Sequence, residues 1–345
     1  MNKMRFFLTF LILIYLSKSI YGSNLFDTSY YNVEFKSTNI EKNKIEKIEY
    51  IKLDSLNKIF EKILIIEDYS KIIRTIDIDL MNTFIKNISI EDEKIIDNNY
   101  YSKIKINYDK FKLIEYLRNN KISYTEYLPS QFLTIIFEKN QLNKNILTKN
   151  SDYYNFLKNN LNNFNFNKIP KIDINDKYLL NNVEINNNNN NKFDELLNKY
   201  NLSNAIIIIS QTTNNKKNYQ SYIYTNNKVS FVNDYKLTKL NYSKLFTDIN
   251  NDIIDSWKKQ NSIDNTKISK LDCDINYFNL NELKEIKKII RETSTIKDFN
   301  LKEISLNKNQ YEISYYGDSK FLYTLFRVNR LDIKFDNTSC EINLK

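Results

Sequence analysis

Glycine is almost missing from this chain of 345 residues: it has two, Gly22 and Gly317, alongside two prolines, a single alanine at Ala205 and no histidine. Loops that press the backbone against a phosphate depend on glycine, so neither a P-loop nor a dinucleotide-binding turn can be built here. Without histidine, Ser-His-Asp and Cys-His catalytic arrangements are excluded, as are zinc sites of the usual histidine-containing kinds. No cofactor is expected. Lys, Asn, Ile, Tyr and Phe fill the space, and all five use A- and T-rich codons. The composition therefore reflects nucleotide bias before it reflects function.

Residues 1–22 read as a secretory signal peptide. Lys3 and Arg5 precede an apolar run from Phe6 to Leu16, broken only by Thr9, and small residues follow at Ser17, Ser19, Gly22 and Ser23. Cleavage is expected near Ser19 or Gly22. Eleven helical residues span roughly 16 Å, about half of a hydrocarbon core, so the run suits a signal better than an anchor. No later apolar run reaches spanning length, and no cysteine follows that could carry a lipid. The expected location is the periplasm. A secreted protein from an AT-rich eukaryote would fit the same composition.

The formal charge of +9 falls to +6 once the leader, with three cations and no acid, is removed. Lysines and acids alternate along the rest and arginine is scarce, which argues against a nucleic-acid partner. The residual charge leaves room for weak contact with an anionic membrane surface.

Periodicity divides the remainder into a modular α/β (α+β) chain of two or three small domains. Residues 24–145 form the first block: a strand at Tyr31–Phe35, a helix carrying Ile45, Ile48, Leu56, Ile59, Phe60, Ile63 and Leu64, and a second helix over Ile72–Ile88. An alternating strand at Tyr100–Tyr108, a short helix capped by Asp109 and a strand at Phe132–Glu138 complete it. Residues 146–262 hold an Asn-rich linker at 186–191, a helix over Lys192–Tyr200, a strand at Ala205–Ile209 and a hairpin turning at Asn226-Asn227. A helix through Leu245, Phe246, Ile249, Ile253 and Trp257 closes this block. Residues 263–345 read as β-α-β-β-α-β, a ferredoxin-like split βαβ module.

Several short runs carry a resemblance. The strand Tyr31–Phe35, the strand-to-helix run Tyr100–Leu117, Ile169–Asp173 with Asp176, Trp257–Asn261 and Ile313–Leu325 together resemble the proteobacterial exported proteins grouped as domain of unknown function 2066. The middle block is also similar to the small α/β domain of TolB-type periplasmic proteins. The first resemblance implies a periplasmic modular protein and supplies no site residues.

Candidate chemistry is sparse. Glu91, Asp92 and Glu93 are adjacent, and Asp272 and Asp274 flank Cys273 on one strand face. Either set could supply an acid–base pair if a cleft held it. Asp173–Glu184 has the length of a calcium loop, but Lys177 stands at a ligand position and Tyr178 where the loop wants glycine. A polar turn is the expected reading. Cys273 and Cys340 are candidates for a disulfide, since export favours pairing and the first and last strands of the split βαβ module are neighbours. Two buried thiols are the alternative. Tyr and Phe fall at core-facing phases. The functional expectation is a non-enzymatic scaffold or envelope-assembly protein acting through other envelope proteins, with an envelope hydrolase using Asp/Glu chemistry as the alternative.

Overall fold

The computed structural model describes residues 25–160, 166–185, 190–213, 216–237, 241–336 and 338–345. The signal reading falls outside them, as do residues 186–189 of the Asn run; Asn190 and Asn191 open a helix. The fold is multi-domain α+β, and the chain divides into two compact units, Met1–Tyr127 with Ile263–Lys345, and Leu128–Ser262.

The first unit begins with β1 (Tyr31–Lys36) and α1 (Ile40–Ile63), then two short helices, α2 (Ile66–Ile72) and α3 (Ile78–Phe84), β2 (Ile85–Ile96), β3 (Asn99–Tyr108) and α4 (Lys110–Asn119). An antiparallel sheet in the order β1-β3-β2 packs against α1. Leu56, Ile59, Phe60 and Ile63 are buried at helical spacing along α1. The helix expected over Ile72–Ile88 is instead two elements, because α3 stops at Phe84 and Ile88 and Ile90 pair with Ile106 and Ile104 of β3. Ile45, expected on the buried stripe, is 59% exposed. Asp109 caps α4, accepting from the Phe111 and Lys112 amides.

The second unit holds β4 (Phe132–Lys139), β5 (Asn145–Leu147), α5 (Asp152–Asn160), β6 (Asn167–Lys168), α6 (Ile174–Leu180), α7 (Asn190–Tyr200), β7 (Asn204–Thr213), β8 (Lys216–Thr225), β9 (Lys228–Leu237) and α8 (Tyr242–Asn261). Its sheet runs β5-β4-β7-β8-β9, with β6 also paired to β4. β4 lies parallel to β7, Ile135 opposite Ile207, so the strand assigned to a first block ending at 145 belongs to the second unit. The boundary moves to residue 127 because a parallel partner 72 residues downstream leaves no local trace.

The chain returns to the first unit with β10 (Ile268–Asn276), α9 (Leu280–Glu292), β11 (Ile296–Ser305), β12 (Lys308–Tyr316), α10 (Ser319–Val328), β13 (Leu331–Asp336) and β14 (Ser339–Leu344). The sheet order is β11-β12-β10-β14-β13. The first five elements are a split βαβ, and the two closing segments read in the sequence, Leu331–Phe335 and Cys340–Leu344, are the strands of a hairpin. Its second strand, β14, inserts parallel to β10 and pushes β13 to the edge.

Asparagine makes the turns. Of twelve non-glycine residues with positive φ among the described residues, nine are Asn or Asp, including Asn226 at 52° and Asn227 at 58°. These side chains bond locally and tolerate the left-handed region, so they replace glycine in a chain that lacks it. Gly317, at φ +85°, follows β12 where a side chain would be strained.

Candidate docking groove

The carboxylates singled out in the sequence are tied to partners. Within β2, Asp92 sits at φ 54° in a register shift between Glu91 and Lys94, which turns the three acids apart. Tyr30 donates to Glu91 at 2.5 Å, Lys103 pairs with Asp92 at 2.7 Å, and Glu93 accepts from Lys44 at 2.6 Å and Tyr100 at 2.8 Å. The Lys103 hydrogen bond holds Asp92 below its ordinary value, and Lys44 and then Tyr100 do the same for Glu93. On the outer face of the β10 sheet, Lys302 meets Asp272 at 2.5 Å and Glu312 at 3.6 Å, while Lys308 meets Asp274 at 2.7 Å. This is a ladder of alternating charge across strands.

The Asp173–Glu184 segment is structural in the same way. Asp173 caps α6, and Asp176 returns a bond to its amide, completing a capping box. Lys199 reaches both carboxylates at 2.6 Å, and Tyr200 donates to Asp176 at 2.7 Å. A lysine occupies the position a cation would need. Among the described residues no group of three or more His, Cys, Asp or Glu side chains could hold a metal.

Cys273 and Cys340 stand opposite each other in the parallel β10–β14 pair, both buried, and are joined by a disulfide with Cα atoms 4.4 Å apart. The bond closes a loop across the module and belongs to its core.

A further buried charge was not visible in the sequence. Glu126 follows Tyr124, which forms a β-bridge with Ile263. Its side chain is 3% exposed, with Lys110 Nζ 3.2 Å from Oε1, a charge contact that lacks hydrogen-bond direction. Burial raises its pKa, against the opposing pull of Lys110 and Arg118. Arg118 stacks 4.1 Å from the Tyr316 ring and donates to Tyr124 Oη and the Ser294 carbonyl, clamping α4 to the C-terminal module.

The surface feature most suited to a partner lies on α1 and the start of α3. Glu49, Tyr50 and Leu53 line one side of a groove of about 740 Å³, and Ile76, Asp77, Ile78, Asp79 and Met81 line the other. The groove is open to solvent. Tyr50 is 64% exposed, Leu53 46% and Ile78 61%, while Met81 is buried. Three acids and no base line it. Glu49 Oε1 accepts from Lys52 at 2.7 Å, whereas Oε2 is sealed from water without a donor. Asp77 caps α3 through the Leu80 amide at 2.8 Å. Sequence reasoning missed this site. Tyr50 and Leu53 lie three residues apart beside the buried stripe of α1, and that off-phase apolar pair is the signal that could have found it.

A smaller cavity of about 320 Å³, lined by residues 27–32 with Ser55, Lys58, Ile59 and Lys62, sets two lysines against one acid, Asp27. Lys58 is already paired with Asp54 at 2.7 Å.

Comparison with known proteins gives no match among family models, curated proteins or solved structures. Among the described residues no helix is long and apolar enough to cross a membrane.

Proposed function

We propose that this is an exported protein, clipped near Ser19 or Gly22, that works in the periplasm as a non-enzymatic scaffold or envelope-assembly component of the domain of unknown function 2066 kind. The observation that carries the interaction reading is the groove on α1 and α3. Grouped apolar side chains in an open concavity mark a contact surface more often than a bare solvent face does. The leader supports the location, and the Cys273–Cys340 bond suits an oxidising compartment.

The acid–base hydrolase alternative draws no support from the carboxylates it would use. Asp272, Asp274, Glu91, Asp92 and Glu93 each engage their own Lys or Tyr.

Two measurements test the reading. Cell fractionation with N-terminal sequencing should find a chain beginning near residue 20 or 23 outside the cytosol. Crosslinking in envelope extracts should give a reproducible partner that full-length Leu53→Lys/Ile78→Lys protein fails to capture. An unprocessed cytosolic chain sinks the location, and capture indifferent to the groove sinks the contact surface.

A further inference from the structure

We infer that the groove between α1 and the start of α3 receives an amphipathic segment of a partner protein, its apolar side chains on Tyr50, Leu53, Ile76 and Ile78 and its Lys or Arg side chains on Glu49, Asp77 and Asp79. The inference rests on the interaction reading above and names the chemistry of the partner.

Two observations converge. First, the apolar residues are grouped in one concavity of about 740 Å³ rather than scattered, a volume that suits the two or three anchors one helix face presents at i, i+3/i+4 and i+7. Second, the local charge is inverted. The chain carries an excess of nine cations, six once the leader is clipped, yet the groove is lined by three acids and no base. A second copy, itself net positive, is repelled by the body of the molecule, and the groove acids repel an anionic lipid or nucleic acid. A basic amphipathic guest meets attraction here that the net charge of the chain denies it elsewhere on average.

The test uses the full chain and a dye-labelled synthetic Leu/Lys peptide of about 14 residues with leucines at helical spacing. A shuffled peptide of the same composition and a Leu/Glu counterpart serve as controls, all read by fluorescence anisotropy. The Leu/Lys peptide should bind saturably, one per chain, and more tightly than either control. Leu53→Lys/Ile78→Lys should weaken it at least about tenfold. Asp77→Asn/Asp79→Asn should weaken it about three- to tenfold; asparagine retains the cap on α3, so this variant guards against misfolding of the first. Equal binding of the shuffled or Leu/Glu peptide, or indifference to both variants, overturns the inference. So does concentration-dependent self-association that Ile78→Lys abolishes, which would give the groove to a second copy. If the peptide binds through the groove while the chain is found unprocessed in the cytosol, the location fails and the groove stands. If envelope partners are captured equally well by both groove variants, the partner chemistry fails and the scaffold reading stands.

Discussion

The five-stranded and six-stranded sheets fill their cores under the same shortage of small residues, and they do it differently. The β10–β14 module packs mostly aliphatic side chains, Ile275, Ile286, Ile290, Ile313, Leu322 and Ile342 among them, around the Cys273–Cys340 bond. The β4–β9 unit packs aliphatic side chains too, Ile135, Ile207, Ile223 and Ile253 among them, but adds tyrosines and gives several of their phenols carboxylate acceptors. Tyr235 donates to Asp252 at 2.7 Å, Tyr224 to Asp194 at 2.6 Å and Tyr200 to Asp176 at 2.7 Å. Burial pushes all three phenols above their ordinary pKa, Tyr200 to about 12. Tyrosines packed at the core thus commit carboxylates to structure in one unit, whereas the module around the disulfide leaves its acids on the surface as a ladder with lysine.

Breaking the disulfide should show the largest difference. Cys273→Ser/Cys340→Ser removes a constraint on a loop with sequence separation 67, worth about 4 kcal/mol in the chain-entropy model. In urea the transition of the first unit should move while that of the cysteine-free second unit stays; equal shifts would mean the units unfold as one. On the tyrosine side, Asp176→Ala should cost about 2 kcal/mol, since it leaves the Tyr200 hydroxyl without its acceptor and opens the capping box of α6.

The sharpest version of the comparison sets two phenols against each other. Tyr235→Phe should cost about 1 kcal/mol, but Tyr153→Phe should be neutral or stabilising, because the Tyr153 hydroxyl is buried with no partner among the described residues. Equal losses in thermal melts would show that the hydrogen bonds do not distinguish them. For Glu126, in the first unit but outside the aliphatic module, the sign follows from its raised pKa. The folded state holds the proton more tightly than the unfolded one, so its stability contribution is fully present below the ordinary carboxylate range. It is lost as pH rises through the raised value. Melting temperature against pH should therefore fall less steeply for Glu126→Gln than for the native chain. The smallest effect is expected for Lys302→Ala on the exposed ladder, a change too slight to separate from the native melt.

Local signals were legible and long-range ones were not. Asp109, Asn226-Asn227 and the stripe on α8 can be read from a few neighbouring residues, because caps, turns and helical faces are set within a turn or two. The Ile72–Ile88 reading failed where a helix passes directly into an edge strand, so that Ile88 extended a helical period by coincidence. The acids at Glu91–Glu93 could be named but not their partners, since Lys44 and Tyr30 lie on other elements. The groove was invisible for the same reason. Its two walls, Tyr50–Leu53 and Ile76–Asp79, meet only when α3 folds beside α1.

By itself the sequence determined the α+β class, the substitution of asparagine for glycine in turns, and the chemistries that absent histidine and glycine forbid. These depend on residue identity and short-range geometry. Only the tertiary structure decided that β4 pairs with β7, that β14 slips between β10 and β13, and that three acids and five apolar side chains gather around one concavity on a basic chain. Such pairings depend on which distant surfaces bury each other, and no local periodicity encodes that choice.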